Sequence, residues 1–290
     1  MRLTVSFYGI SRDPKTNNFI FVFEYFDNGS LRNYLDKYGH YHYYLGEQIK
    51  YMRNIALDLR GFHVGGSVHR DLHSGNILLG STFRASIGDV GLSGKEGSNL
   101  DGKDKIIGVL PYIAPEVLQG KDYTKKSDIY SFGMLCYEII TGFPPHHDMA
   151  HDGLLALKII KGFRPKFKMM VPKLLLDVIN QCWNSDPSKR PDAEYLVETF
   201  NRFYDDLDIP NYESEFYKQY DESDEYNKKN KKRKSTKSTG LQQQTQLIYT
   251  SHPQAVYTSR VFAPLSGELD LKISGKYLNY FKGVRVILNV

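Results

Sequence analysis

The sequence has few cysteines and no long apolar run. Its 290 residues include two cysteines and one tryptophan, and neither Cys136 nor Cys182 stands in a Cys-x-x-Cys spacing. A disulfide framework is therefore excluded, and a reducing compartment is the default expectation. No apolar run approaches the ~18 residues that predict a membrane span, since the best, Phe19 to Phe23, ends at Glu24. A secreted, collagen-like or membrane-spanning protein is not expected.

Charge divides the chain into two parts, although the net value of +5 is mild. Over residues 1–204, charges of both signs are interspersed, as on an ordinary solvated surface. Beyond them an acidic, tyrosine-rich stretch, Asp205 to Glu225, leads into the basic run Lys228–Lys234 and then a Ser/Thr/Gln segment. Such blocks bury too little apolar surface to offset the entropy of ordering, so residues 205–250 are predicted to be a disordered linker.

The remaining residues, 251–290, are expected to form a C-terminal tail of unknown structure, in which alternating apolar residues from Glu268 to Val290 could form strands. The run Lys228–Lys234 is most simply a solvated linker, and a nuclear localisation signal is the second interpretation. Nucleic-acid binding is not expected, because no base-stacking residues are interleaved with the lysines. The protein is therefore expected in the cytoplasm, with nuclear entry through Lys228–Lys234 as the alternative. The amino-terminal residues become polar too early to be typical of a signal peptide.

The first 204 residues contain short strand patterns followed by several helix patterns. The β-rich runs are Thr4–Ile10 and Phe19–Phe26, separated by a turn-like segment. Apolar residues spaced three to four apart from Glu47 onward predict a helix that ends at Gly65-Gly66. Ser127–Ile140 is apolar nearly all round, which predicts a helix buried at the centre of a helical domain. Few strands first and many helices after indicate an α+β fold that is mostly α.

The residues that can carry chemistry lie between positions 68 and 116. In chain order they are His69-Arg70-Asp71, Asn76, Asp89-Val90-Gly91 and Ala114-Pro115-Glu116. Alone, Asp89 before a glycine is most often a turn residue, and Asn76 a cap or turn residue. Their joint order is highly specific. The chain resembles the eukaryotic protein kinases, and residues 1–204 match that family's domain from its hinge region onward.

Further motifs support the resemblance. They are the Ser-Asp-Ile-Tyr-Ser-Phe-Gly run that starts at Ser127, then Cys182-Trp183, Asp186-Pro187 and Arg190-Pro191. The Cys-Trp and Arg-Pro pairs are similar to the tyrosine-kinase-like and tyrosine kinase branches. The resemblance implies a protein-kinase-like fold with a mostly helical C-lobe and, here, a remnant N-lobe of two strands. It also implies ATP and Mg²⁺ as cofactors and a protein substrate, and it leaves the oligomeric state open.

The resemblance assigns a role to each candidate catalytic residue. Asp71 would accept or orient the proton of the substrate hydroxyl. Asn76 and Asp89 would hold Mg²⁺, a hard ion that favours oxygen ligands. Arg70 would bind a phosphate on the activation segment, for which Ser93 and Ser98 are the candidate positions.

The resemblance assigns binding and structural roles as well. Glu24-Tyr25-Phe26 is similar to the hinge whose backbone binds adenine, with Phe23 at the gatekeeper position. His69 is expected to pack rather than to titrate. Asp128 would brace the catalytic-loop backbone, and Glu116 would pair with Arg190.

The pattern departs from the family in several places. Only 23 residues precede Glu24, and they contain neither Gly-x-Gly-x-x-Gly nor Val-Ala-x-Lys. The loss of one preorganised electrostatic group costs ~2.7–4 kcal/mol of transition-state stabilisation. The chain is therefore expected to be a kinase domain lacking its N-terminal part and to be inactive or weak. The alternative is a pseudokinase or interaction module without phosphotransfer.

Two further positions depart from the family's motifs, and one group of histidines lies outside them. Val90 replaces the Phe of Asp-Phe-Gly, and His73 replaces the lysine that Ser/Thr kinases place two residues after the catalytic Asp. Ser/Thr substrates are nevertheless favoured, within the tyrosine-kinase-like branch. A separate group, His146, His147 and His151, follows Pro144-Pro145 and is expected in a surface loop. Zinc is disfavoured there because no cysteine or carboxylate completes a tetrahedral set.

Overall fold

The computed structural model describes residues 5–38, 45–81, 83–97, 105–235 and 250–265. The strands are β1 (Phe7–Arg12), β2 (Phe19–Phe23), β3 (Ser67–Val68), β4 (Ile77–Leu79), β5 (Ala85–Ile87), β6 (Gly94–Lys95), β7 (Ile106–Gly108) and β8 (Arg260–Phe262). The helices are α1 (Leu31–Tyr38), α2 (Leu45–Val64), α3 (Pro115–Leu118), α4 (Lys125–Thr141), α5 (Gly153–Ile160), α6 (Lys173–Cys182), α7 (Ala193–Asp208) and α8 (Glu215–Ser235).

Helix α4 lies at the centre of the core. It begins at Thr124, whose hydroxyl accepts from the Ser127 amide in a capping box, and ends at Gly142, whose φ of 71° suits a residue without a Cβ. All of its residues from 127 to 141 are buried. A Cβ on Gly133 would lie 2.9 Å from the Cβ of Cys182, so this glycine lets α6 approach α4 closely. The predicted central helix is confirmed.

Helix α2 is the second support of the core, packed between α7 and the β4–β5 hairpin. The apolar residues at its predicted spacing are fully buried, among them Ile49, Met52 and Leu59. The ring of Phe200 on α7 meets that of Phe132 on α4 edge to face at 5.7 Å. The described part of the chain is thus mostly helical, and the predicted α+β class is confirmed.

Strands occur as four separate antiparallel pairs within the described residues. β1 and β2 form the two-stranded remnant that the sequence predicts, although the second strand ends at Phe23 rather than Phe26. Its aromatic side chains are largely exposed, including Phe19 at 66%. β4 and β5 form the hairpin that carries the candidate catalytic residues at its open end.

The prediction of a disordered linker over 205–250 differs from the structure in its first part, where α7 continues to Asp208 and α8 begins at Glu215. Two features that stabilise α8 cannot be seen from composition. Phe216 is buried and stacks on Phe203 with ring centroids 3.8 Å apart. The acidic and basic blocks also meet one turn apart, as when Lys229 pairs with Glu225 at 2.7 Å. Residues 236–249 lie outside the described residues.

The described part of the tail is ordered as well. Residues 250–265, here called the strap, run across the domain, and β8 within them pairs with β7 in antiparallel register. The strands predicted between Glu268 and Val290 lie outside the described residues. No helix in the described part of the chain has the length and apolar character needed to cross a membrane.

The strap also explains why the prediction that the histidine group lies in a surface loop is wrong. His146 and His151 are buried, with exposures of 4% and 3%. The ring of Tyr257 in the strap packs edge to face on His151 at 4.7 Å, and His146 stacks on Phe163 at 5.0 Å. Pro144-Pro145 predicted that the histidines would be exposed, but no local sequence pattern indicates that the strap covers this loop.

Candidate active site

The loop between β3 and β4 is held from beneath by one carboxylate. Oδ2 of Asp128, near the start of α4, accepts from the His69 amide at 2.8 Å, and Oδ1 accepts from the Arg70 amide at 3.0 Å. His63 Nε2 lies 3.0 Å from Oδ2. Arg70 has a left-handed φ of 73°, which is costly for a residue with a Cβ and must be held by its surroundings. Asp128 therefore braces the loop, as the sequence predicts.

Asp71 and Asn76 are brought together on this loop. The Asn76 amide donates from Nδ2 to the Asp71 carbonyl at 2.9 Å and lies 3.4 Å from its Oδ2. His73 faces the same carboxylate, with Nε2 3.6 Å from Oδ2. The Gly75 amide donates to His73 Nδ1 at 3.1 Å, which assigns the proton of a neutral ring to Nε2, toward Asp71. His73, which stands in place of the expected lysine, thus faces the Asp71 carboxylate.

Asp71 is buried but remains an acid that ionises readily. Burial opposes its ionisation, but hydrogen bonds from His73 and from Ser259 outweigh that cost, so the pKa of Asp71 is lowered below its usual value. The carboxylate is therefore charged at neutral pH. A charged, buried carboxylate with a donor beside it is suited to orient a hydroxyl and accept its proton.

Asp89 reaches the same end of the hairpin from β5. The Gly88 amide donates to the Asn76 carbonyl at 2.8 Å, just beyond the last paired residues of β4 and β5. Asp89 follows directly, exposed, with a left-handed φ of 49° and its Oδ1 accepting from the Gly91 amide at 3.2 Å. His69 fixes the turn from below, since it is fully buried and its Nε2 lies 3.1 Å from the Gly88 carbonyl.

Arg70 points along the start of the activation segment. Its Nη2 donates to the Lys95 carbonyl at 3.0 Å, and its guanidinium packs against Gly94 in β6. Ser93 is adjacent in sequence and donates its hydroxyl to the Val90 carbonyl at 2.6 Å. Arg70 is thus near one of the two predicted phosphate positions, and Ser98 lies outside the described residues.

The predicted hinge is tied to the rest of the domain by an ion pair. Arg84, in the turn between β4 and β5, binds both carboxylate oxygens of Glu24, and the Ser6 hydroxyl donates to Oε2 at 2.9 Å. The Arg84 and Ser6 hydrogen bonds lower the pKa of Glu24 to about 2. Phe26 is buried with its ring 5.1 Å from the Arg84 guanidinium, whereas Phe23 is half exposed.

Two residues contact the site that the sequence prediction did not assign to it. The Ser259 hydroxyl, in the strap, donates to Asp71 Oδ2 at 2.5 Å, across 188 residues of sequence. His73 was identified only as a departure from the family pattern, and its contact with Asp71 is a feature of the folded loop. No local motif marks Ser259, because its position depends on pairing between β7 and β8.

Comparison with known proteins agrees with this geometry. Residues 2–200 match the family model described as protein tyrosine and serine/threonine kinase. The loop that carries Asp71 and Asn76 and the turn at Asp89 lie within the region that matches this model. The chain belongs to the protein kinase family.

Named relatives come from a plant and from an amoeba. The chain is 30% identical to serine/threonine/tyrosine-protein kinase HT1 of Arabidopsis thaliana over 63% of its own length and 46% of that protein. It is 33% identical to a protein kinase and PP2C-like domain-containing protein of the same plant, covering 65% and 33%. It is 30% identical to dual specificity protein kinase splA of Dictyostelium discoideum, covering 67% and 9%. The match spans less than half the length of these relatives.

Proposed function

We propose that the chain transfers the γ-phosphate of ATP to Ser or Thr hydroxyls of proteins, with Mg²⁺. The observation that carries this proposal is the buried, ionised Asp71 at the open end of the β4–β5 hairpin, with Asn76 bound to it and Asp89 beyond the same turn. Phosphoryl transfer needs positioned charge more than covalent catalysis, and this arrangement supplies it.

Each residue has one task in this proposal. Asp71 orients the acceptor hydroxyl and takes its proton at Oδ2. Asn76 fixes the loop through its Nδ2, and His73 lies against Oδ2 of the Asp71 carboxylate. Asp128 keeps the backbone of Arg70 in its left-handed conformation, so the loop is preorganised before a substrate arrives.

The donor set fits a magnesium ion. Asn76 commits its nitrogen to Asp71, so Oδ1 is the atom that would bind a cation. Asp89 uses Oδ1 for the Gly91 amide, so Oδ2 is its corresponding ligand. Two oxygen ligands from the protein are typical of Mg²⁺ bound together with phosphate. When bound, the ion neutralises charge on the transferring phosphate.

The nucleotide is proposed to bind at the hinge, through the backbone of Glu24 and Phe26, with Phe23 beside the adenine. Within the site, Val90 and His73 depart from the family's pattern, and these two departures favour a pseudokinase as the second candidate function.

One experiment separates the two candidates. The wild-type chain is titrated with Mg²⁺–ATP while its Tm is followed, and phosphate incorporation into a generic acceptor protein is measured in parallel. The Asp71→Asn variant tests the catalytic base, and Asp177→Asn, a partly exposed carboxylate on α6, is the matched control. We expect Mg²⁺–ATP to raise the Tm of all three proteins. We also expect the wild type and the control to incorporate phosphate slowly, and Asp71→Asn to incorporate none.

The outcomes are distinct. Binding without incorporation supports the pseudokinase. A Tm that does not respond to Mg²⁺–ATP overturns the enzyme proposal, and incorporation that persists in Asp71→Asn overturns the role of that residue. The tyrosine alternative is tested on the same acceptor protein by phosphoamino-acid analysis, in which phosphotyrosine alone would contradict Ser/Thr specificity.

A further inference from the structure

The strap, residues 250–265, contacts the rest of the domain on both sides of Ser259. Upstream, the His252 amide donates to the His147 carbonyl at 2.8 Å and the Tyr257 hydroxyl donates to the Pro145 carbonyl at 3.0 Å. Downstream, the Leu265 amide donates to the Leu118 carbonyl at 2.9 Å. Contacts on both sides of position 259 fix where that residue lies.

Backbone pairing sets the register of the strap. In the β7–β8 pair Gly108 lies opposite Arg260, Ile107 opposite Val261 and Ile106 opposite Phe262. An extended segment that adds a strand to an exposed edge is a common mode of peptide recognition, with pockets selecting alternate side chains. A Cβ on Gly108 would lie 3.5 Å from Asp71 Oδ1, so the edge that pairs with the strap adjoins the candidate active site.

An apolar anchor holds this register. Phe262 is buried, and with Leu265 it lines a small cavity together with Leu110, Leu118 and Ala156. Buried aromatic anchors are typically among the few residues that carry most of the binding energy of an interface. A strap shifted by one residue would remove Phe262 from this pocket and Ser259 from Asp71, because side chains alternate along a strand.

Ser259 is the strap residue held against the candidate base. Its hydroxyl donates to Asp71 Oδ2 at 2.5 Å, while the residue as a whole remains exposed. Its neighbour Tyr257 is turned to Pro145 instead. A hydroxyl with a proton acceptor beside it, in a residue that solvent can reach, is the arrangement that a phosphate acceptor requires.

We propose that the strap is an intramolecular substrate that occupies the peptide groove of this kinase domain, with Ser259 as the phosphate acceptor. The proposal rests on the function proposed above. Ser259 Oγ forms a bond to the γ-phosphorus of ATP, the bond from that phosphorus to the β–γ bridging oxygen breaks, and ADP leaves. The hydroxyl proton passes to Asp71 Oδ2. The phosphate then lies beside a carboxylate, and the repulsion releases the strap from the groove.

Occupancy of the groove is tested without any requirement for catalysis. A fluorescent peptide of residues 250–265 is titrated into the full-length wild type and into Phe262→Asp, whose own strap has lost its anchor. We expect Phe262→Asp to bind the peptide at least about tenfold more tightly than the wild type, a difference of about 1.4 kcal/mol. Phe19→Asp, on the exposed β1–β2 hairpin, is the control for the added charge, with circular dichroism as the folding control. Equal affinity for wild type and Phe262→Asp overturns occupancy.

The register is tested with the same peptide carrying Ser259→Glu. We expect it to bind Phe262→Asp at least about tenfold more weakly than the serine peptide, because like charges placed together are costly. The added Asp71→Asn substitution should restore most of that affinity. If the two peptides bind equally, Ser259 does not lie against Asp71 and the proposal fails.

The acceptor is then identified by incubating the wild type with Mg²⁺–ATP and mapping phosphate by mass spectrometry. We expect phosphate on Ser259, its loss in Ser259→Ala and Asp71→Asn, and its retention in the neighbouring control Thr258→Ala. Phosphate on other positions or on an acceptor protein, but not on Ser259, overturns the acceptor assignment while the proposed function stands. If no phosphate is transferred to any acceptor although both peptide tests succeed, the proposed function fails and the groove assignment stands.

Discussion

Arg190 donates from Nη1 and Nη2 to the two carboxylate oxygens of Glu116, at 2.6 and 2.7 Å. The two residues are 74 positions apart, and the Arg190 side chain is fully buried. Arg190 Nε also donates to the Asn184 carbonyl at 2.8 Å. The pair thereby fixes α3, which follows the activation segment, to the loop that precedes α7, and it confirms the pairing predicted from the sequence.

The first prediction concerns this pair. Glu116→Gln keeps the size of the side chain but leaves the Arg190 cation buried without its counter-charge. Breaking a buried ion pair from one side costs about 3–5 kcal/mol, so we expect a loss of that size in the free energy of unfolding by urea. The control is Glu213→Gln, which removes an exposed pair with Lys218 and should cost about 1 kcal/mol or less. Equal small losses would show that Glu116 and Arg190 are not coupled in solution.

The second prediction concerns Asp128, which accepts from the amides of His69 and Arg70. In Asp128→Asn one of the two acceptors becomes an amide nitrogen, which cannot accept a hydrogen bond. Because the left-handed backbone of Arg70 is held by these bonds, we expect faster hydrogen exchange at the His69 and Arg70 amides. Each lost bond to a charged group removes about 1.5–3 kcal/mol of local protection. Exchange at Leu59 in the middle of α2 serves as the internal reference.

Unchanged exchange at His69 and Arg70 would contradict the bracing role of Asp128. A uniform rise across the molecule, with Leu59 included, would indicate global destabilisation instead of a local effect.

The sequence predicts those parts of the fold and site that local patterns determine. The buried helix α4 follows from its apolar residues on every face, and the proximity of Asp71 to Asn76 follows from a short loop. The Ser259–Asp71 contact could not be predicted, because it depends on strand pairing between segments more than 150 residues apart. Helix α8 was missed for a similar reason: composition does not show that Phe216 stacks on Phe203 of α7. In both the strap and α8, contacts with distant parts of the chain decide the structure, and the local sequence pattern does not show them.

The third prediction concerns the pH dependence of stability. Asp58 of α2 is buried and accepts from the Ile87 amide at 2.9 Å, and burial raises its pKa to about 7 from the ordinary 3.8. The folded state therefore keeps this proton over a range in which the unfolded chain has lost it. Its contribution to stability is fully present below pH 3.8 and is lost as the pH rises through 7.

The Asp58→Asn variant has no such titration. We expect the unfolding free energy of the wild type, relative to Asp58→Asn, to fall by about 2–3 kcal/mol between pH 5 and pH 8. The comparison is made as a difference because burial also lowers the pKa of His146 to about 4, which gives the opposite slope in both proteins. A difference that is constant with pH would contradict the raised pKa of Asp58.

The fourth prediction concerns the attachment of α8. Phe216 is 2% exposed, and its ring lies nearly parallel to that of Phe203 at 3.8 Å. Truncation of a buried Phe to Ala costs about 3–5 kcal/mol. Because α8 is otherwise highly charged, we expect Phe216→Ala to release this helix while the rest of the domain stays folded. Limited trypsin digestion should then cleave rapidly at Lys218 and Lys228, and the helical signal should fall.

The control for this experiment is Tyr226→Ala, a substitution at an aromatic residue of the same helix that is 52% exposed. It should leave the cleavage rate close to that of the wild type, because little packing is lost. If Phe216→Ala is digested no faster than Tyr226→Ala, α8 is not held to α7 by this ring. If both are digested as rapidly as an unfolded chain, and the wild type with them, the helix has no stable contact with the domain and residues 215–235 behave as the linker that their composition predicts.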